Sequence, residues 1–400
     1  MILTDEQQKM LDGVYGKGAS LAMEIQVGIA KCFDAPRMVP IQKVHVSLSA
    51  QEADLWFASR LLSAGAVCRI SPTVNPGYSV GTFASTLSDT AKTHMERVDQ
   101  VYRALGATMT YCCTPYLYGN KPRKNEVCAF SETSATIFVN AVLGAKTNRE
   151  SAASALCAAI TGCVPEYGML FEKNRFGTIA VEVDARLEKE GDFALLGMLG
   201  KKIGRGNPVF FGLPPSIPVE SLIALGASLN VSGNYDIYAV PGVTPLVRDE
   251  KDAFGNKEPL RTVKITQKNL DDLRDKGHPV SGEKISFCIL GCPHYTYSQV
   301  ERVGGLLTKP AAVPIYILTS LEVIEEAEKN GLQDHLYRFG GKLIPHTCVD
   351  EVNCWHFLKG MLGVTDSPKA AYYMTSAGVT LTVQDVEQCI HEAIQGKVCE

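Results

Sequence analysis

Apolar and polar positions alternate along this chain in a way that predicts strands and helices in turn. Short apolar runs rich in β-branched residues predict strands, and longer amphipathic stretches predict helices. Strands are predicted at residues 38–46, 66–72, 107–113, 178–183, 208–211 and 236–240. Helices are predicted at residues 19–32, 51–64, 86–105, 134–143, 149–161, 191–203 and 218–226. This alternation is typical of α/β proteins with parallel sheets.

The last third of the chain shows the clearest alternation. It predicts strands at residues 285–290, 313–320, 342–348 and 370–376, with helices at 296–307, 321–337 and 382–395. The polar stretch 248–283, with its Gly and Pro residues, is predicted to be a linker between lobes or a segment that extends away from them. We therefore expect N-terminal α/β lobes over residues 1–280 and a C-terminal α/β lobe over residues 281–400.

Length and charge narrow the class of protein. A chain of 400 residues is longer than one hydrophobic core usually serves. Its net charge of −4 gives no electrostatic reason to bind nucleic acid or an anionic membrane. No apolar run approaches the roughly 20 residues of a membrane helix, and the acidic N-terminus lacks a signal-peptide pattern. We expect a cytoplasmic protein that binds neither nucleic acid nor membrane.

Cysteines end three of the predicted strands. Parallel α/β sheets bind ligands just beyond the carboxyl ends of their strands, and Cys113, Cys292 and Cys348 stand at or next to such ends. Convergent thiolates suit zinc, an iron–sulfur cluster or a catalytic thiol. An odd total of thirteen cysteines in a long, leaderless chain does not suit a disulfide framework.

The spacing of these cysteines favours some metal sites over others. Cys-x-x-Cys pairs, typical of structural zinc, and ferredoxin spacings do not occur near them. Three thiolates on a cluster would leave one iron open to act as a Lewis acid. Cys112 and Cys354 are rival ligands, and any of these cysteines can instead be a small buried apolar residue.

Other polar residues near the strand ends suggest binding and proton transfer. Glu132 and Ser134 can carry a proton and bind substrate, although Ser134 can equally cap a helix. Arg149, at a predicted helix start, can hold a carboxylate or a phosphate, or it can remain solvated. His294 can tune a cluster or bond a substrate, and Lys369 can bind an anion or lie exposed.

Several short motifs stand in order along nearly the whole chain, at residues 73–76, 113–117, 119–122, 134–150, 161–162, 165–168, 291–294, 347–348 and 369–372. Taken together, these motifs resemble the aconitase X family. The resemblance implies an aconitase-like α/β fold with multiple α/β/α lobes and mostly parallel sheets. It also implies a cluster at the carboxyl ends of strands between lobes.

The resemblance implies a dehydratase, a hydro-lyase that removes water from a small hydroxy acid. It implies a [4Fe-4S] or [2Fe-2S] iron–sulfur cluster bound by Cys113, Cys292 and Cys348. The expected catalytic residues are Glu132, Ser134 and His294. The expected substrate-binding residues are Asn75, Asn148, Arg149, Lys369 and Ser376.

The resemblance also implies a partner. Family members pair the large part with a small swivelling domain that carries a serine used as base. This chain stops soon after its last predicted helix, so we expect a separate small subunit and a heterodimer. Family members dehydrate cis-3-hydroxy-L-proline or mevalonate 5-phosphate. We favour the former, because no basic cluster beyond Arg149 and residues 121–124 prepares for a phosphate.

Two segments depart from the family pattern. Residues 46–52 lack the Gly- and acid-rich stretch expected there, and residues 365–367 read Thr-Asp-Ser where Thr-Asn-Ser is expected. These departures also fit a cluster-bearing regulatory protein without catalysis. A further alternative is a hydrolase that uses Cys292 as nucleophile with His294 or His346 as base.

Overall fold

The structure is a computed structural model that describes residues 1–48, 52–274 and 281–399. Its strands are β1 (Met38–Pro40), β2 (Lys43–Val46), β3 (Thr73–Val74), β4 (Cys128–Phe130), β5 (Cys163–Pro165), β6 (Ile179–Asp184), β7 (Pro208–Phe211), β8 (Arg261–Thr266), β9 (Phe287–Tyr295), β10 (Ile315–Thr319), β11 (Gly341–Ile344), β12 (Leu362–Thr365) and β13 (Thr380–Val383).

Helices follow most of these strands. They are α1 (Asp5–Leu11), α2 (Lys17–Cys32), α3 (Glu52–Ser63), α4 (Asp89–Ala104), α5 (Thr133–Ala141), α6 (Ala152–Thr161), α7 (Glu190–Met198), α8 (Gly200–Ile203), α9 (Val219–Gly233), α10 (Glu250–Ala253), α11 (Gln267–Arg274), α12 (Tyr297–Leu306), α13 (Leu321–Lys329), α14 (Leu332–Arg338), α15 (Val352–Trp355), α16 (Pro368–Met374) and α17 (Val386–Gln395). None of the helices in the described ranges is long and apolar enough to cross a membrane.

Parallel sheets dominate the fold, as the sequence predicted. The C-terminal part holds a five-stranded sheet of order β11-β10-β9-β12-β13, in which each pair is parallel. Two three-stranded parallel sheets, of order β3-β2-β4 and β7-β6-β8, lie in the N-terminal part. β1 and β5 form a small antiparallel pair. The expectation of an α/β fold with mostly parallel sheets is confirmed.

One hydrophobic core joins the first and last parts of the chain. Val44 of β2, Phe287 of β9, Leu318 of β10 and Trp355 belong to the same buried cluster. Their side chains lose nearly all contact with water, which stabilises the docking of the C-terminal sheet on the first sheet. A bridge between Gly77, after β3, and Thr347, after β11, brings the carboxyl ends of these two strands into one region.

Helix α9 is buried along most of its length. Its residues from Ser221 to Asn230 are all buried, and small residues let its neighbours approach closely. A Cβ on Gly197 of α7 would lie 2.6 Å from the carbonyl oxygen of Leu225. This close approach packs α7 against α9.

The predicted strand at residues 370–376 is wrong, because the chain forms helix α16 there. Ser367 caps this helix by accepting a hydrogen bond from the Ala370 N–H, and Pro368 occupies its first position. Ser followed by Pro is a helix-start signal, since proline lacks the N–H that would be unpaired there. The strand lies earlier, at β12.

Three predicted strands in the N-terminal part are also wrong. Residues 66–72, 107–113 and 236–240 form no strand, apart from single bridges at Thr108 and Ala239. Their backbone groups bond to helix ends and strand ends instead; the Cys68 N–H, for example, donates to the Leu105 carbonyl. The segment predicted at 342–348 leaves the sheet after Ile344, where Pro345 cannot donate to the ladder.

The predicted linker at residues 248–283 is structured over much of its length. It contains α10, β8 and α11, and β8 pairs with β6 at six positions. The first residues of β8 are exposed, which explains its polar composition. The lobe boundary predicted after residue 280 adjoins residues 275–280, which lie outside the described residues, and stays a prediction.

Candidate functional site

An irregularity in the central strand presents Cys292 at the edge of the C-terminal sheet. Leu290 pairs with Ile317 and Tyr295 pairs with Thr319, so four residues of β9 face one residue of β10. The extra residues bend the strand away from its neighbour, as bulges do. Gly291 makes this possible: its φ is +91°, and a Cβ there would lie 2.1 Å from a β10 carbonyl oxygen.

Cys113 and His294 hold two loops together at this point. The backbone N–H of His294 donates to Cys113 Sγ at 3.2 Å. The His294 Nε2–H donates to the Thr347 carbonyl at 3.0 Å, so Nε2 carries the proton of the neutral ring. Burial lowers the pKa of His294 to about 4, which keeps the ring neutral at pH 7.

Cys348 lies in the same region, on the loop that follows β11. Its backbone N–H donates to the Gly77 carbonyl at 3.0 Å, and its carbonyl accepts from Trp355 Nε1 at 2.9 Å. Burial raises the pKa of the Cys348 thiol, and the neighbouring Cys292 raises it further. The structure therefore brings Cys113, Cys292 and Cys348 together, although they lie on separate loops.

Lys369 is buried and lies beside Cys113 and Cys292. Its ammonium is 2.5 Å from Ser134 Oγ and 3.2 Å from Glu132 Oε1. Lys369 projects from the first turn of α16, whose cap Ser367 also donates to the Cys292 carbonyl. Helix α16 therefore fixes the lysine relative to the cysteine loop.

The ion pair between Lys369 and Glu132 keeps both groups charged. Burial pushes the pKa of Glu132 upward, but the Lys369 charge and the Ala135 N–H outweigh burial and hold that pKa below its usual value. Burial opposes the charge of Lys369, yet Glu132 raises the pKa of the lysine well above its usual value. The Lys369 charge also lowers the pKa of the Cys113 and Cys292 thiols, against a larger increase from burial.

The rival cysteines have local partners. Cys112 Sγ lies 3.3 Å from Thr114 Oγ1, and Cys354 Sγ donates to the Glu351 carbonyl at 3.1 Å. Both thiols are buried, and burial raises the pKa of each. All thirteen cysteines are free thiols.

Arg149 and Asn148 point to a different groove. The Arg149 guanidinium donates to Asn230 and Asn234 and lies 3.8 Å from the Asp236 carboxylate. The Asn148 amide is bonded to backbone groups of residues 167 and 169. Neither side chain has a described contact with the three cysteines, so the structure does not bring these two residues into the thiol cluster.

Asn75 and Ser376 differ in their surroundings. Asn75 is buried after β3, and its side-chain oxygen has no hydrogen-bond partner among the described residues. Ser376 is exposed after α16, where its hydroxyl donates to the Tyr373 carbonyl. Asn75 thus lies at a strand end near the site, whereas Ser376 does not end a strand.

A pair of carboxylates lies next to the cysteine loop, and sequence reasoning identified only one of the two. Glu190 of α7 and Asp366, after β12, line a cavity of about 30 Å³ together with Cys292 and His294. Glu190 accepts two hydrogen bonds from Gln299, and Asp366 accepts one from the Tyr295 hydroxyl. Glu190 directly precedes the predicted helix 191–203 and carried no distinguishing signal, whereas Asp366 belongs to the Thr-Asp-Ser departure at residues 365–367.

These features define a multi-part α/β protein with a thiol, lysine and carboxylate centre at converging strand ends. Models of the aconitase X first, second and third domains match residues 1–173, 177–275 and 285–395. The chain therefore belongs to the aconitase X family, which confirms the resemblance seen in the sequence.

Known relatives agree with this assignment. The phosphomevalonate dehydratase large subunit of Thermococcus kodakarensis is 33% identical, over 98% of this chain and 100% of its own length. The cis-3-hydroxy-L-proline dehydratase of Pseudomonas aeruginosa is 29% identical, over 98% of this chain and 69% of its own length. The crystal structure of Thermococcus kodakaraensis aconitase X in its holo-form superimposes with a TM-score of 0.90, at 32% identity, covering 98% of this chain and 100% of that chain. The first two of these relatives are named dehydratases, the class of enzyme that the sequence predicted.

Proposed function

We propose that this chain is the large subunit of an iron–sulfur-dependent hydro-lyase that dehydrates a small hydroxy acid. The observation that supports the proposal is the position of thiols from distant loops around one buried ion pair. Cys113 and Cys292 lie beside Lys369 and Glu132, and Cys348 lies next to Cys292. The family relatives named dehydratases support this reaction class.

The three cysteines fit an iron–sulfur cluster. A backbone N–H already donates to Cys113 Sγ, and such bonds to sulfur tune clusters. The Lys369 charge favours thiolates at Cys113 and Cys292. Among the described residues, no group of three or more His, Cys, Asp or Glu is arranged for a single metal ion. The ligands of a cluster bind different irons and therefore lie farther apart than the ligands of one ion. The absence of such a group among the described residues thus concerns sites for a single ion, such as zinc.

The bound cluster would supply an open iron as a Lewis acid for the substrate hydroxyl. The chain's own residues supply charge and position. The Lys369 ammonium, held by Ser134 Oγ and Glu132 Oε1, can pair with a substrate carboxylate in a site where water is excluded. The ionised Glu132 can accept a proton at Oε1. His294 orients the Cys113 and Cys348 loops through its two hydrogen bonds.

A second polypeptide belongs to the proposed enzyme. Several relatives are named as large subunits, which implies a small-subunit partner for those proteins. We infer that this chain works with a small swivel-domain subunit whose serine removes the proton from the carbon next to the hydroxyl. Alone, the large subunit should have little or no activity.

Two substrates are candidates. Among the described residues, no group of basic side chains large enough to hold a phosphate lies beside the three cysteines. This absence favours cis-3-hydroxy-L-proline. The basic residues near 121–124 line a separate groove with Lys43, at the amino ends of β2 and β4. Mevalonate 5-phosphate is favoured by the match to phosphomevalonate dehydratase over that protein's entire length.

The experiment is to measure iron and acid-labile sulfide per chain after anaerobic purification. Cys113→Ser, Cys292→Ser and Cys348→Ser should each lose the cluster, whereas the matched controls Cys112→Ser and Cys354→Ser should keep it. Dehydration of both substrates is then followed with the small subunit added. A folded protein without iron or sulfide after reconstitution would contradict the proposal. A loaded complex that is inactive on both substrates would favour a regulatory role.

A further inference from the structure

Two small cavities meet between α7, α12 and the cysteine loop. The inner cavity, of about 30 Å³, is lined by Cys292 and His294, and the outer cavity, of about 20 Å³, is lined by the exposed Lys189 and Arg302. One water molecule needs a space of about 10 to 15 Å³, so each cavity has room for water. The cavities meet at the five residues that line both of them: Glu190, Gly191, Tyr295, Gln299 and Asp366.

Two polar atoms of the inner cavity's lining residues lack partners. His294 Nδ1 and Asp366 Oδ1 are buried and have no hydrogen-bond partner within the described part of the chain. The other nitrogen of His294 already bonds to the Thr347 carbonyl, so Nδ1 is left as an acceptor. Buried polar atoms are normally satisfied by protein or by ordered water. Water in the inner cavity would supply the missing partners, and it would lie next to the cysteine loop.

Removal of water from a hydroxy acid requires a proton for the departing hydroxyl. The Lys369 ammonium is held in an ion pair with Glu132 at 3.2 Å, and the ionised Glu132 has no proton to give. The proton of the neutral His294 ring is already donated to the Thr347 carbonyl. These groups bind and orient, so the proton has to come from another acid.

Glu190 is placed to be that acid, because it lines both cavities. Burial raises the pKa of Glu190 to about 7, and the charges of Asp366 and Glu220 contribute to the increase. The Gln299 hydrogen bond and the Arg302 charge oppose it. A general acid is most efficient when its pKa lies near the pH of the reaction. The other charged groups at the outer cavity pair with basic side chains, Asp385 with Lys189 and Glu387 with Arg302.

We propose that Glu190 carries protons from solvent through the two cavities and supplies the proton with which the substrate hydroxyl leaves as water. The inference rests on the proposed dehydratase and identifies its proton source. The partner's base takes the proton of the C–H bond, whose electron pair becomes the new carbon–carbon π bond. The C–O pair leaves with the oxygen, which receives the Glu190 proton through water in the inner cavity. Solvent water in the outer cavity then returns a proton to the Glu190 carboxylate.

The first test is steady-state kinetics of the cluster-loaded complex on whichever candidate substrate the wild type dehydrates. Glu190→Gln keeps the shape of the side chain and removes its proton, so kcat should fall by about tenfold or more while KM changes by less than about threefold. Wild-type kcat should decrease as pH rises above neutrality, and Glu190→Gln should lose this decrease. The control Glu188→Gln, at an exposed glutamate paired with Arg186, should match the wild type.

The second test measures protonation without turnover. Infrared difference spectra of the loaded large subunit should show a carboxylic acid C=O band that grows as pH falls through neutrality and is absent from Glu190→Gln. Asp366→Asn removes a charge that raises the pKa of Glu190, so it should move this band and the decrease in kcat to lower pH. A purely structural role of Glu190 would produce neither shift.

The outcomes separate the proton source from the proposed function. An active complex in which Glu190→Gln matches the wild type in kcat and in pH dependence would overturn the role of Glu190 and leave the dehydratase standing. A lower kcat with an unchanged pH dependence would also overturn it, because Glu190 would then act only on structure. A loaded wild-type complex that dehydrates neither candidate substrate would overturn both.

Discussion

Two charge clusters flank the cysteine loop, and burial affects their charges in different ways. The first cluster is buried and the second is half-buried. At Lys369 and Glu132, side chains that are 7% and 6% exposed carry opposite charges 3.2 Å apart. At Glu190 and Asp366, two carboxylates face one cavity. Opposite charges stabilise each other in a medium of low polarity, whereas like charges and burial favour the neutral acid.

The difference decides what each cluster can contribute. The Lys369–Glu132 pair stays ionised, so it offers fixed charge to a substrate. Burial raises the pKa of Glu190 to about 7, with a further increase from Asp366, and burial raises the pKa of Asp366 to about 6. The carboxylate pair is therefore expected to take up protons as the pH falls through neutrality. Glu190 also joins α7 to α12, because it accepts hydrogen bonds from Gln299.

The largest expected effect comes from breaking the opposite-charge pair. Lys369→Met would leave the Glu132 carboxylate buried without a cation and should lower the free energy of unfolding by about 3 to 5 kcal/mol. Activity with the small subunit should fall by about 100-fold or more, since a buried charge aimed at the substrate is lost. Urea unfolding and dehydration rates measure the two effects.

A double variant separates stability from activity. Glu132→Gln combined with Lys369→Met removes both charges and should recover most of the lost stability while activity stays low. Lys359→Met, at an exposed lysine, should change the unfolding free energy by less than about 0.5 kcal/mol. A Lys369→Met protein as stable as the wild type would show that the pair is not ionised in the folded state.

Removing one charge of the like-charge pair should change the free energy of unfolding by a smaller amount, and that amount should depend on pH. The pKa of Glu190 rises from 4.5 to about 7 on folding, so between these values the folded state binds more protons than the unfolded state. Stability should therefore fall as pH rises through this window. Glu190→Gln cannot ionise and should be more stable than the wild type at pH 8 by about 1 to 3 kcal/mol.

Urea unfolding at pH 5, 6, 7 and 8 checks this prediction. The advantage of Glu190→Gln should shrink toward pH 5, where the wild-type carboxyl is protonated in the folded state. Glu188→Gln, at an exposed glutamate paired with Arg186, should show a difference that stays small at every pH. Parallel pH curves for wild type and Glu190→Gln would contradict the raised pKa.

A third, partly exposed pair should matter least. Arg149 and Asp236 are 27% and 30% exposed and lie 3.8 Å apart, so solvent screens their attraction. Arg149→Ala should cost about 1 kcal/mol or less of stability. Because its contacts lie away from the cysteines, KM should change by less than about threefold. A tenfold rise in KM would instead support the sequence-based prediction that Arg149 binds the substrate.

Helix α16 shows that a helix-start signal can outweigh an apolar run that resembles a strand. The apolar run at residues 370–374 suggested a strand, yet Ser367 and Pro368 before it mark a helix start. The cap was the stronger signal, because it satisfies a backbone donor that an apolar run leaves open. Conversely, residues 107–113 look like a strand, but their backbone bonds go to loops and strand ends.

The sequence by itself determined the parallel α/β class, which follows from the period of apolar positions, a local property of the chain. Its resemblance to the aconitase X family, carried by several motifs in order, gave the prediction that Cys113, Cys292 and Cys348 bind a cluster. Only the tertiary structure decided which groups meet. Lys369 and Glu132 are 237 residues apart, and Arg149 turns toward α9 rather than the thiols. Pairing of buried charges depends on how helices and sheets pack, and that packing joins residues whose order in the sequence does not reveal their distance.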